Sequence, residues 1–290
     1  MPGTVTGPSE NDSLAYCRGE VRRGDHDRYL MSLMVGAGAR RAVIALLAFN
    51  LELARTQRLA GEVLLGEMRL QFWHDAVDEI YGGGPARRHP VARELAAAVA
   101  RHGLARPPIE RILAARRRDL AAGPPASMAE LEAFLADTSA DLLELAAAAA
   151  IGRDDAAIAL ARDAGIAFGL CGVLRALPFH AARRRLYLPA DLLDRHGVDI
   201  EETFTGRPSA ALGRVAAHIA RRARERLVPL RREMRALPPR KRAVPALAAL
   251  AALDLERLRA VGHDPFDPRL RSTPLRRLLR IGRARLTGRI

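Results

Sequence analysis

Gly165 to Asp194 reads GIAFGLCGVLRALPFHAARRRLYLPADLLD. The apolar run through Leu174 predicts a long helix that ends at Arg175. A loop follows, and Leu186-Tyr187-Leu188-Pro189 forms a short anchor that opens the next helix. The residues just after Leu174-Arg175 are Ala176, Phe179 and His180, with a basic run at Arg183, Arg184 and Arg185. This stretch sets the expectation for the whole chain: long apolar helices around a central space.

The rest of the chain agrees with that expectation. Its 290 residues are 49% apolar and only 4% aromatic. Few segments show the β-branched alternation of strands, so the predicted class is all-α. A core of this size needs no disulfide or metal to hold it. The net charge of +14 is nearly all arginine, since Lys241 is the one lysine. Such a charge favours anionic surfaces, but no basic stripe is interleaved with aromatics, so no nucleic acid is expected as a partner. Cys17 and Cys171 lack metal-ligand spacing and suit a reducing cytoplasm. The first fifteen residues resemble neither a secretory signal nor a transit peptide. No run of about eighteen apolar residues free of charge occurs, so no membrane span is expected.

Residues 1–11 read as disordered. A helix is expected from Asp12 or Ser13, with Leu14, Cys17 and Val21 on one face, then a short one over 25–34 broken by Gly36 and Gly38. Residues 39–59 are apolar on nearly every face, which predicts a helix buried all round and leaves Glu52 in need of a partner. Further helices are expected over 61–81, 89–103, 107–121, 128–151, 153–174, 208–236 and 240–262. No composition shift marks a linker, so residues 12–265 read as one helical domain.

Asp27-Arg28-Tyr29-Leu30, Ala48-Phe49-Asn50-Leu51-Glu52-Leu53-Ala54, Gly66-Glu67-Met68-Arg69-Leu70-Gln71-Phe72-Trp73, His89-Pro90-Val91-Ala92 and Leu186-Tyr187-Leu188-Pro189 occur in an order and spacing that resemble the squalene/phytoene synthase family. The likeness is closer still to that family's degenerate branch, typified by mitochondrial complex I assembly factor 6. It covers roughly residues 15–197, and the last ninety residues match loosely. The resemblance implies a single-domain isoprenoid-synthase-like helical bundle.

Synthases of this family ionise an allylic diphosphate with Mg²⁺ held by two Asp-rich motifs on facing helices. By the resemblance, the first motif falls at Ala54, Arg55 and Arg58, and the second at Ala176, Phe179 and His180. None of the six is acidic, and two are cations that repel Mg²⁺. No catalytic residue, metal ligand or cofactor is therefore assigned; Mg²⁺ enters only if the chain is a prenyl transferase. Glu52, Arg55, Arg58, Arg175, His180 and Tyr187 are the candidates for a remodelled cavity or an anionic head-group site. Glu52 with Arg55 and Arg58 either closes the old metal site by salt bridges or leaves a basic pocket.

Other charged groups have simpler readings. Asp75, Asp78 and Glu79 lie about twenty residues too late for the first motif and read as an exposed acidic face. Asp137 and Asp141 read as a helix start or solvated face, and Asp25-His26-Asp27 as a capping cluster. His180 reads as a loop residue. Residues 266–290 form a basic tail, with Thr273 as N-cap and Pro274 at the first helical position. Its helix either lies on anionic lipid or docks on the domain with its arginines solvated.

The function that the resemblance implies is non-catalytic: a bacterial assembly factor for respiratory complex I, cytoplasmic and peripheral on the inner membrane. Its partners would be complex I subunits or other assembly factors. Two alternatives stay open, a head-to-head prenyl transferase and a protein that binds a prenyl lipid or quinone.

Overall fold

The computed structural model describes residues 10–56, 63–121 and 123–290. Among these, the chain is helical throughout and holds no strand. The predicted disorder at the N-terminus falls largely outside the described residues, and so does Arg58.

Helix α1 (Glu10–Gly24) buries Cys17 and Val21, the face that the sequence marks as apolar. Helix α2 (His26–Met34) starts at Asp25, whose carboxylate accepts from the Arg28 amide at 3.2 Å. Helix α3 (Ala37–Arg55) begins earlier than expected. Gly36 is its N-cap, whereas Gly38 sits inside it rather than breaking the chain. Ala42 to Leu51 are all buried, so α3 is enclosed on every face. Helix α4 (Val63–Tyr81) carries Trp73, which meets Phe49 of α3 edge-on at 5.3 Å.

His89 caps helix α5 (Pro90–His102), and helix α6 (Arg106–Ala121) follows. The helix expected over 128–151 is not continuous. Helix α7 (Met128–Leu135) passes through a π-turn at Ala136–Ala140 into helix α8 (Asp141–Ile151). Local side chains support the wider turn: the Thr138 hydroxyl donates to the Phe134 carbonyl at 2.7 Å, and that of Ser139 to the Gly165 carbonyl at 2.8 Å.

Helix α9 (Asp155–Ala181) contains most of the stretch quoted at the outset. It does not stop near Arg175 but continues through Pro178. The proline removes one backbone hydrogen bond, yet Leu177 and Ala181 are each 1% exposed and hold the last turns against the core. Gly165 lets α9 approach the π-turn, since a Cβ there would lie 2.7 Å from the Ala140 Cα and 2.8 Å from the Ser139 carbonyl oxygen. By length and composition alone α9 could cross a bilayer, although Asp163 and Arg175 interrupt its apolar run. Within the bundle, 61% of its most apolar 18-residue window is buried, which is how a central core helix reads.

Pro189 opens helix α10 (Ala190–His196) as anticipated. The anchor is fixed from outside, because the Ala190 amide donates to the Pro125 carbonyl at 2.8 Å. Helices α11 (Ile200–Phe204), α12 (Ala210–Ala236) and α13 (Ala248–Ala260) complete the main body. The helix expected from 240 is instead two 3₁₀ turns, each opened by a proline, before α13 begins. Helix α9 packs against α8, α12 and α13, while α3 packs against α1, α5 and α8.

Helix α14 (Pro274–Thr287) has the predicted Thr273 cap. It docks against α2 and α13 with Ile281 and Ala284 fully buried. Its arginines are not all solvated: Arg277 is 6% exposed. The outer face leaves Leu275, Leu279 and Leu286 about two-thirds exposed, at 65%, 64% and 66%.

Candidate functional site

A cavity of about 440 Å³ opens between α2, α3, α6, α9 and the segment around Tyr187. Four of the six positions that the resemblance assigns to metal ligands line it: Ala54, Ala176, Phe179 and His180. Facing them are Arg28, Arg116, Arg175, Arg183 and Arg185, with Asp25 as the one carboxylate among the described lining residues. Phe134, Leu135, Phe168 and Val173 supply an apolar wall. Gly172 adds room, since a Cβ there would meet nothing within 4 Å.

Mg²⁺ requires several oxygen donors in a near-octahedral shell. Asp25 is already held by Arg28 at 2.8 Å. Among the described residues no group of three or more His, Cys, Asp or Glu side chains is placed to hold a metal ion. The described lining residues thus offer a divalent cation a single carboxylate, and Arg28 already engages it.

The arginines fall into two sets. Arg175 is committed: its Nη1 lies 2.7 Å from Asp27 and 2.8 Å from Asp254. Those carboxylates are shared with Arg277 of α14, whose Nη2 donates to Asp27 at 2.8 Å and Nη1 to Asp254 at 2.7 Å. Burial opposes the charge on Arg277, but the hydrogen bonds and attraction of Asp254 and Asp27 more than offset it and raise its pKa. Two cations and two anions thus join α2, α9, α13 and α14. The capping reading of Asp25-His26-Asp27 holds for Asp25 alone, because Asp27 belongs to this buried network.

The second set is under-paired. Arg116 reaches Asn50 Oδ1 only at 3.4 Å and the Asp119 carboxylate at 3.7 Å, and its Nε has no hydrogen-bond partner. Burial pushes its pKa down. Asp119 accepts from the Tyr187 hydroxyl at 3.0 Å and from Arg185 at 3.3 Å. Burial nevertheless raises the Asp119 pKa. The Tyr187 pKa is also pushed up, by burial first and then by the Asp119 charge, so its hydroxyl stays protonated and donates. Arg28 spans Asp25 and the Ser139 hydroxyl, each at 2.8 Å, and lies 5.0 Å from the Phe168 ring centroid.

The basic turn divides in the same way. Arg185 points inward to Asp119, and Arg183 lies over the Phe179 ring at 3.7 Å. Arg184, at φ 54°, turns outward to Glu201. His180 is in the last turn of α9, not in a loop, because that helix extends past Pro178; its ring meets Tyr187 at 4.7 Å.

Glu52 finds its partner in Arg55 at 3.0 Å, and Arg55 also binds Glu20 of α1. Neither Glu52 nor Arg55 is among the residues lining the cavity. Asp75 and Glu79 pair with Arg87, and Asp78 with Arg106, on a half-exposed face as expected. Asp141 departs from its solvated reading. It opens α8, as the helix-start reading has it, but is fully buried and bound by Arg111 at 2.6 Å and by Arg162.

Arg116 and Arg277 are absent from the sequence candidates because each sits in an arginine-rich run that reads as a solvated face. A periodic signal was available: Ile109, Ile112, Leu113, Arg116 and Leu120 share one face of α6.

With this geometry in view, the sequence profile of the squalene/phytoene synthase family matches residues 21–280. The chain belongs to that family. It is 34% identical over 268 residues to the complex I assembly factor 6 of Mus musculus, covering 92% of this chain and 80% of that protein. It is 30% identical over 272 residues to the phytoene synthase of Thermus thermophilus, covering 90% and 88%. Among solved structures, a dehydrosqualene synthase in complex with ligand superposes with a TM-score of 0.80 at 18% identity, covering 94% of this chain and 95% of that one. This last likeness concerns the fold.

Proposed function

We propose that this protein is a non-catalytic assembly factor for respiratory complex I, a bacterial counterpart of its mitochondrial relatives. The observation that carries this reading is the cavity itself, whose described residues include five arginines and one carboxylate where a prenyl transferase would need clustered carboxylates. The similarity to complex I assembly factor 6 over 92% of the chain supports the choice of complex I. The working partners are complex I subunits or fellow assembly factors. Deleting the gene and measuring assembled complex I on native gels tests it: loss of assembled enzyme is expected, and normal assembly overturns the reading.

Prenyl transfer is the second reading, favoured by the identity to a phytoene synthase. Incubation with farnesyl or geranylgeranyl diphosphate and Mg²⁺ is expected to give no condensed product. Clear turnover would replace the first reading with the second.

A place on the cytoplasmic face of the inner membrane follows from the same proposal. The exposed Leu275, Leu279 and Leu286 lie along one side of α14, flanked by the exposed Arg276 and Arg283. Such a face suits an anionic bilayer surface. Co-sedimentation with phosphatidylglycerol vesicles is expected, and serine at Leu275 and Leu279 should abolish it.

A further inference from the structure

The chain's net charge of +14 is not spread evenly. Residues 231–242 carry six cations against the single Glu233, at the corner where α12 and α14 end together. Arg242, 7% exposed, staples the two ends. It donates to the Leu286 carbonyl at 2.8 Å and to the Arg235 carbonyl at 3.0 Å, while its Nε has no hydrogen-bond partner. Gly288 completes the join, since a Cβ there would lie 2.7 Å from the Met234 carbonyl oxygen. The 3₁₀ turn Pro239–Lys241 packs against α14 as well.

Around this joint Arg231, Arg232, Arg235, Arg240 and Arg289 are exposed. Among the described residues no carboxylate pairs with these five side chains. Asp154, the acid near the turn, is held by Lys241. Val228 and Leu286, 63% and 66% exposed, stand among the charges as apolar points. Leu286 is also the last residue of the leucine stripe on α14, so the basic corner and the stripe adjoin.

We infer that this corner is a head-group site for anionic phospholipid, held by Arg231, Arg232, Arg235, Arg240 and Arg289. The inference rests on the membrane reading of α14 and goes beyond it: the leucines supply insertion, and the end of α12 supplies the charge selection. Arginines without counter-ions draw in a negative surface, and each guanidinium fork can donate to two phosphate oxygens. The Arg242 staple holds the corner in place beforehand, so little ordering is lost on binding. A bilayer presents phosphates beside a continuous apolar layer, which is the pairing found here. An acidic protein segment matches the charge but not the stripe.

Flotation of the full chain with phosphatidylcholine vesicles containing increasing phosphatidylglycerol tests the site. Affinity is expected to rise with the anionic fraction. The variant Arg231→Gln/Arg232→Gln/Arg235→Gln should bind anionic vesicles about a hundredfold more weakly, at about fivefold per arginine. All three side chains are exposed, so its urea midpoint should match the wild type. Arg240→Gln/Arg289→Gln, outside every α-helix, is a second variant, with an expected loss of about twentyfold. Neutralising the exposed Arg18, Arg101 and Arg207 instead removes as much net charge elsewhere and should cost less than about threefold, because distant charges are screened. The inference is overturned if the folded corner variants bind as the wild type does, if the control triple loses as much, or if wild-type binding ignores the anionic fraction. Unchanged binding by the corner variants, with loss on Leu275→Ser/Leu279→Ser, would remove the head-group site and keep the membrane reading. A wild-type chain that binds no vesicle removes both. Binding to polyglutamate but not to vesicles, lost in the same corner variants, would overturn the inference in favour of an acidic protein.

Discussion

Two arginines turned toward the interior, the buried Arg277 and the half-buried Arg116, occupy contrasting settings. Arg277 meets two carboxylates through its whole fork, with Ser272 as a third acceptor at 2.9 Å. Arg116 meets an amide at 3.4 Å and a carboxylate at 3.7 Å. One guanidinium closes a seam between helices, whereas the other faces a cavity with its bonding incomplete. Burial alone does not tell a structural charge from a receptive one; the completeness of its partners does.

The comparison can be broken by removing each partner in turn. Arg277→Met strands Asp27 and Asp254 with Arg175 alone, and should cost about 3–5 kcal/mol in urea unfolding. Gly165→Ala drives a Cβ into the π-turn beneath Arg28 and should cost about 1–3 kcal/mol by the same measurement. Arg116→Met, by contrast, should change stability by less than about 1 kcal/mol, because the lost pairing is weak and the buried charge is relieved. A loss as large as that of Arg277→Met would make the cavity cluster structural.

Glu132 provides an intermediate case with a pH signature. Burial pushes its pKa up, but Arg226 and Arg222 more than offset this and hold it below the usual 4.5. The folded state therefore favours the ionised form. Its contribution is full above the usual carboxylate value and is lost as pH falls through the lower folded value. Glu132→Gln should cost about 0.5–1 kcal/mol at pH 7 and less in acid, read from urea midpoints at both pH values.

Much of the fold was legible because its signals are local. The apolar run of α3, the Pro90 and Pro274 starts and the Leu186–Pro189 anchor each follow from neighbouring residues. The π-turn was not legible, because it depends on Ser139 reaching Gly165, 26 residues away. The run of α9 through Pro178 depends likewise on burial by distant helices. At the site, the sequence placed Ala54, Ala176, Phe179, His180, Arg175 and Tyr187 at the cavity. It missed the division of labour among the arginines, because identical guanidinium groups are told apart only by their three-dimensional partners.

The Arg277–Asp27 contact joins residues 250 positions apart. Asp27 leaves the ribosome long before its principal counter-charge has been synthesised, and until then Arg175 is its nearest available cation. Closing so long a loop adds little entropy beyond a medium one, since each doubling costs only about 0.6 kcal/mol. The delay is one of order of synthesis, not of energy. The seam between α2 and α13 is sealed last, so a ribosome stalled before α14 would hold a bundle with an open edge.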